Sequence, residues 1–300
     1  MRVIIVLKSN ALYLVMNESK RRIVDCFLYY NEIEMLEYRL KVLWDVVDYF
    51  VISESAYSFM GKPKTFLDFT DSRFCKYLSK IIVIRINVFP FFSPDITKNE
   101  QWNNENYQRD CLMDGIQYLI RIKKELDHCD IIVLSDVDEI PDPETLRVLS
   151  YTKNGVDNCL MILKQKYYCY NITTVRDFDW YHVKAFTYKT WHDMLQSQKL
   201  SVIRLYGVTD KMPSFITYCK IVLYGGWHLS YFGNVEFIRN KILNFSHQEY
   251  NFGDNTDEST IMKRMNECTD IMGRNDIKFY TLNWCTNSYL PPMFNELFFS

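Results

Sequence analysis

The stretch Asp130-Ile131-Ile132-Val133-Leu134-Ser135-Asp136-Val137-Asp138-Glu139-Ile140-Pro141 decides how the chain is read. Ile131 to Leu134 is an unbroken apolar run, the pattern of a strand buried on both faces. The character then flips. Asp136, Asp138 and Glu139 put three carboxylates just past the strand's C-terminal end, and Pro141 and Pro143 stop the strand and pre-set a helix. In open α/β sheets, ligands sit outside the carboxyl ends of strands. Asp136 and Asp138 are two apart, so on an extended backbone both leave one face and their oxygens can share one hard cation. A divalent ion that also holds a diphosphate would relieve their repulsion. The plain alternative is an acidic turn in which one aspartate caps the next helix.

Working outward, residues 23–30 read as a core strand, followed by a helix capped by Asn31 with Ile33, Leu36, Leu40, Leu43 and Trp44 at helical spacing. Strands are expected over 46–53 and 81–88, a polar loop over 93–106 and a helix over 107–126. This alternation predicts an α/β fold with a mostly parallel, helix-covered sheet. After Glu144 the rhythm changes: strands are expected over 159–170, 183–188, 201–205 and 221–224, the last leading into a Gly225-Gly226-Trp227-His228 turn. Helices are expected over 234–245 and 257–272. The natural division is an N-terminal extension (1–20), one domain over 21–275 and an aromatic tail (276–300). Within the domain, a nucleotide-binding half ends near 150 and an acceptor half follows.

The 300 residues are 48% hydrophobic, with 22 Tyr and 20 Phe, few glycines and no low-complexity tract: ample for one large ordered domain. A net charge of −2 without a long basic stripe argues against nucleic-acid binding. Nine cysteines at irregular spacing, none in C-x-x-C, fit a reducing compartment with neither disulfide framework nor zinc knuckle. No window has the length of a membrane span and no signal peptide is evident, so the expected location is cytoplasmic.

Several stretches together resemble one family: Asp25-Cys26-Phe27-Leu28-Tyr29-Tyr30-Asn31-Glu32, Glu37-Tyr38-Arg39-Leu40, residues 45–55 with Gly61-Lys62-Pro63, Gln108-Arg109-Asp110, the Asp136 turn, and Gly226-Trp227-His228-Leu229-Ser230. The chain is similar to glycosyltransferase family 17, the family of β-1,4-mannosyl-glycoprotein β-1,4-N-acetylglucosaminyltransferases. The resemblance implies a GT-A-type nucleotide-sugar-binding fold, a D-x-D site for Mn²⁺ (or Mg²⁺), inversion at the sugar carbon, UDP-N-acetylglucosamine as donor and a glycan or glycoprotein acceptor.

Carried onto this sequence, Asp136 and Asp138 are the metal and diphosphate residues, Asp138 as direct ligand and Asp136 as ligand or ribose contact. His228 is a third metal ligand or a buried, hydrogen-bonded histidine. Gly226 would let the backbone approach a ligand closely. Trp227 is either an acceptor platform or core. Arg109 would fork onto the diphosphate or pair with Glu105 or Asp110. Glu54 would accept from uracil or ribose, or simply end its strand. An inverting transfer needs a base, for which Glu249 is the leading choice. A non-catalytic UDP-sugar or glycan-binding module on the same scaffold is the alternative. A phosphohydrolase or nucleotidyltransferase is weakened by the lack of a Gly-rich phosphate loop near the first strand.

Overall fold

The apolar run folds as the strand it demands: Ile131–Asp136 is buried from Ile131 to Ser135 and runs parallel to Ile23–Tyr29. The computed structural model describes residues 2–5, 20–152, 156–208, 216, 219–283 and 285–297. In chain order the strands are β1 (Arg2–Ile5), β2 (Ile23–Tyr29), β3 (Tyr49–Ser55), β4 (Ile81–Ile86), β5 (Ile131–Asp136), β6 (Glu139–Pro141), β7 (Leu160–Cys169), β8 (Thr174–Arg176), β9 (Lys184–Thr187), β10 (Cys219–Ser230) and β11 (Phe279–Thr281). The helices are α1 (Ile33–Leu43), α2 (Glu100–Asp110), α3 (Leu112–Gln117), α4 (Pro143–Tyr151), α5 (Tyr188–Asp193), α6 (Leu200–Leu205), α7 (Val235–Asn244) and α8 (Glu258–Asn266).

One mixed sheet runs β1-β10-β7-β9-β5-β2-β3-β4. It consists of two parallel blocks, β4-β3-β2-β5 and β7-β10-β1, joined by β9, which is antiparallel to both β5 and β7. Alternate residues of β5 serve the two faces. Ile131 and Val133 pack with Met35, Leu36 and Leu40 of α1, whereas Ile132 and Leu134 pack with Leu112 and Ile116 of α3. Both faces are therefore covered, which is why the run does not alternate with polar residues.

Several expected boundaries move. The helix expected over 107–126 starts earlier, as α2, and is divided at Cys111; α3 then continues as one π-helical turn to Lys123. Residues 93–106 looked like a loop because the buried side of α2 is polar: Gln101, Asn104, Gln108 and Arg109. The strand expected over 201–205 is helix α6. Its Leu200, Ile203 and Arg204 are buried at spacings of three and four, the face of a helix rather than of a strand. Asn31 does not cap α1; Glu32 precedes the helix and accepts from the Tyr30 and Asn31 backbone N–H groups.

The turn expected at Gly225-Gly226 is a bulge inside β10, which continues to Ser230. The strand over 46–53 begins at Tyr49 and runs through Glu54 to Ser55, and α8 ends at Asn266. Of the expected extension, Arg2–Ile5 joins the sheet, and 6–19 lie outside the described residues. In the expected tail, Phe279–Thr281 pairs with β8. All nine cysteines are free thiols, and no helix among the described residues is long and apolar enough to cross a membrane.

Candidate active site

Where β2 and β5 end, a cavity of about 770 Å³ opens between the acidic turn, α2, α6, α7 and the ends of β7, β8 and β10. Its wall includes Asp136, Asp138, Glu139, His228, Arg109, Arg204 and Lys241, with Tyr167, Trp180 and Tyr231 as aromatic panels.

The acidic turn is held from beneath. Arg39 of α1 is fully buried and donates to Asp25 through Nε at 2.7 Å and Nη2 at 2.6 Å. Its Nη1 donates to the carbonyl oxygens of Asp136 (2.8 Å) and Glu139 (2.9 Å), and Nη2 also reaches Ser135 Oγ (2.6 Å). From the side, the Leu229 N–H donates to the Asp138 carbonyl, and β6 pairs with β10 in a register that sets Glu139 opposite His228. Helix α4 starts beyond the turn, capped by Asp142 rather than by Asp136 or Asp138, with Pro143 in its first turn.

Two of the three carboxylates, Asp136 and Glu139, share Arg204, and Asp138 has a cation of its own. Asp136 accepts from Arg109 Nη1 (2.6 Å) through Oδ1 and from Arg204 Nη2 (2.5 Å) through Oδ2. Glu139 accepts from Arg204 at 2.8 and 2.6 Å and from the Trp180 indole at 2.5 Å. Burial pushes the Glu139 carboxyl up, and the Arg204 guanidinium more than reverses it, holding it well below the usual carboxylate range. Asp138 accepts from Lys241 Nζ at 2.8 Å through Oδ2, while Oδ1 faces His228 Nε2 at 3.8 Å, beyond hydrogen-bond length. Burial raises Asp138 too, and Lys241 with His228 outweighs it, leaving the carboxyl well below its ordinary value. His228 lies between the rings of Tyr167 and Trp180, each with its centroid 4.4 Å away, and its buried Nδ1 has no hydrogen-bond partner. His182 also stacks on Trp180, at 4.1 Å, and burial pushes its imidazole down to about 2, so it is neutral.

The structure thus brings Asp136, Asp138, Arg109 and His228 together. Arg109 is buried rather than superficial and is spanned by Glu105 (2.8 Å) and Asp136. Glu54 lies apart, fully buried, in an adjoining recess of about 310 Å³ that shares Tyr29 and Tyr30 with the main cavity. Its Oε1 accepts from Lys64 Nζ (2.6 Å) and the Leu67 N–H (2.8 Å), whereas its buried Oε2 has no partner.

Gly226 does not face the cavity. Its φ of +122° and lack of a side chain let β10 lie against β6, where a Cβ would collide with the Ile140 carbonyl oxygen. The close approach that the glycine permits is between two strands, not between backbone and ligand. Trp227 is core: 2% exposed, stacked on Tyr289 and donating to its carbonyl. Glu249 is off the cavity wall and exposed, with Oε1 2.5 Å from His247 Nδ1; His247 itself is on the wall.

Sequence reasoning missed Arg39, Arg204 and Lys241; the pairing of Arg109 with Glu105 was one of its alternatives. Arg39 stands inside one of the resembling stretches, which was the available signal. Arg204 was hidden by the misassigned strand. Lys241 lies on a helix whose polar residues give no hint that one of them turns inward.

A model of glycosyltransferase family 17 matches residues 13–279. The chain belongs to glycosyltransferase family 17. Two relatives of this family-17 chain, from Homo sapiens and Rattus norvegicus, are each named β-1,4-mannosyl-glycoprotein 4-β-N-acetylglucosaminyltransferase. Each is 29% identical over 133 residues, covering 43% of this chain and 23% of the relative. The chain therefore matches less than a quarter of the length of these curated relatives. A solved structure titled 4-diphosphocytidyl-2C-methyl-D-erythritol synthase aligns over 69% of this chain and 90% of its own, at 11% identity and a TM-score of 0.38, a likeness too distant to bear on function.

Does the family-17 turn suit a divalent cation? Among the described residues no cluster of three or more His, Cys, Asp or Glu side chains is arranged for one. Asp136 is a poor ligand because both its oxygens are taken by arginines. Asp138 and His228 fit better. They offer one hard oxygen and one imidazole nitrogen, facing each other without a hydrogen bond between them. Magnesium-type sites commonly take only one or two protein ligands, the rest coming from substrate phosphates and water, and an imidazole favours Mn²⁺.

Proposed function

We propose that this chain is a GT-A-type, divalent-metal-dependent, inverting glycosyltransferase that moves N-acetylglucosamine from UDP to a hydroxyl of a glycan or glycoprotein. The observation that carries the reading is the convergence of Asp138, His228 and a set of buried cations at the carboxyl end of β5, in one cavity large enough for a nucleotide sugar. Family membership and the relatives' names support the sugar and the acceptor class.

In this reading Asp138 and His228 hold the cation, which when bound supplies Lewis-acid stabilisation of charge on the departing UDP. Arg109 and Arg204, anchored by Asp136, add fixed positive charge beside it. The unpartnered Oε2 of Glu54 is an acceptor in want of a donor, and the imide N–H of uracil or a ribose hydroxyl supplies one. Tyr29 and Tyr30, common to both cavities, bridge base and diphosphate. The acceptor's proton leaves through His247. Glu249 fixes Nδ1 as the protonated nitrogen, leaving Nε2 to take the proton as the hydroxyl oxygen bonds to the anomeric carbon and UDP departs.

The test is UDP release from UDP-N-acetylglucosamine with Mn²⁺ and a panel of glycan acceptors. Acceptor-dependent release, lost in Asp138→Asn, is the expected result. UDP binding without turnover of any UDP-sugar would instead identify a non-catalytic binding module, and absence of both would sink the nucleotide-sugar reading.

A further inference from the structure

The cavity wall carries five arginine or lysine side chains, and four have carboxylate partners: Arg109 with Glu105 and Asp136, Arg204 with Asp136 and Glu139, Lys241 with Asp138, and Arg274 with Asp270. Arg176, the last residue of β8, is different. It is 8% exposed, yet among the described residues it has neither an ion pair nor a hydrogen bond from its side chain, and its Nε is buried without an acceptor. Its guanidinium lies 3.8 Å over the Phe178 ring and 5.0 Å from the Tyr167 centroid.

A guanidinium cannot shed its proton in a protein, and two aromatic faces replace only part of the hydration it has lost. A buried cation of this kind that faces a cavity is an anion site awaiting its anion. The planar fork matches a phosphate oxygen pair. The position selects which phosphate. The Tyr167 ring that Arg176 overlies also stacks on His228, so the guanidinium stands two ring contacts from the Asp138–His228 pair. The strand is fixed on both sides, by β7 and by β11, so the fork is pre-aimed rather than floppy.

We propose that Arg176 binds the diphosphate of the donor nucleotide, in addition to the arginines that Asp136 anchors. The proposal rests on the nucleotide-sugar reading above, and the experiment separates the two. Binding of UDP, UMP and inorganic pyrophosphate is measured calorimetrically in Mg²⁺ buffer for the wild-type chain, Arg176→Gln and Arg176→Lys. Loss of a forked charge-assisted contact should weaken UDP and pyrophosphate by about tenfold or more in Arg176→Gln, with UMP less affected. Arg176→Lys keeps the charge without the fork and should fall between, and it serves as the readout should Arg176→Gln not fold. Unchanged UDP and pyrophosphate affinity in a folded Arg176→Gln protein overturns the proposal. So does unchanged UDP affinity with a raised KM for an acidic acceptor, which would assign Arg176 to an anion on the acceptor. If the wild type binds pyrophosphate but not UDP, the nucleotide reading fails, and loss of pyrophosphate binding in Arg176→Gln still upholds the anion site. Binding of neither overturns both.

Discussion

The Arg39 guanidinium and the Asp25 carboxylate meet through two parallel hydrogen bonds of 2.7 and 2.6 Å, with neither side chain exposed to solvent. The remaining N–H groups of Arg39 hold backbone carbonyls of the acidic turn and the Ser135 hydroxyl. One pair thus ties helix α1 and strand β2 to the segment that presents Asp136 and Asp138. Arg39→Met would leave Asp25 charged and alone in the core, at a cost of about 3–5 kcal/mol. Chemical denaturation should show that loss, with Arg39→Lys intermediate because an ammonium cannot make the fork. A loss under ~1 kcal/mol in Arg39→Met would contradict this account.

The two aspartates of the turn should separate by phenotype. Asp136→Asn removes the charge that both Arg109 and Arg204 bind, so its main effect should be on stability, roughly 1–3 kcal/mol. Asp138→Asn should instead weaken Mn²⁺ binding about tenfold or more, since a neutral amide is a poor hard ligand. Mn²⁺ titration followed by magnetic resonance, alongside thermal melts, measures both. Normal Mn²⁺ affinity in Asp138→Asn would reverse the assignment.

Acid should act early through His182. Burial depresses its imidazole to about 2, below the ordinary value of 6.5, so the unfolded chain takes up the proton first. The sign follows: stability is complete above pH ~6.5 and declines as pH falls towards the folded value, by up to ~1.4 kcal/mol per pH unit from this group. His182→Phe should flatten that limb in urea titrations between pH 6 and 4. A limb of equal slope in the variant would assign the acid sensitivity elsewhere.

Gly226→Ala tests whether that glycine serves the fold or the ligand. A methyl group there meets the Ile140 carbonyl and strains a backbone at φ +122°, costing about 1–3 kcal/mol for the conformation alone. The denaturation midpoint should drop while UDP affinity of the folded fraction is unchanged. Weaker UDP binding at full stability would restore the ligand-contact role.

Much of this architecture could be read from residues near one another. The run 131–134 announced a strand covered on both faces, and the carboxylates after it pointed to the candidate site, because burial and charge both change within three residues. What escaped depends on distant partners. Arg204 went unremarked inside an expected strand. Its meaning appears only when α6 delivers it to Glu139, which nothing in residues 201–205 encodes. Glu249 looked like a base because it follows β10, yet its carboxylate turns to His247. Gly226 looked like a ligand contact because the strand that crosses it, β6, is three residues long and carries no strand-like pattern. Polar α2 was lost as a loop because its inward face is built of amides and an arginine, and hydrophobic periodicity cannot detect such a face.

Strand β1 has a consequence for how the chain matures. Arg2 is in register with Cys219 and Ile5 with Val222, so β1 finds its neighbour in the sheet in a strand far along the chain. Until β10 has been made, the backbone donors and acceptors that Arg2–Ile5 turns towards it lack that partner. That interval exposes the nascent protein to edge-to-edge association. Closing it depends on contacts of very long sequence separation, which makes the final annealing of this sheet margin a slow event in its biogenesis.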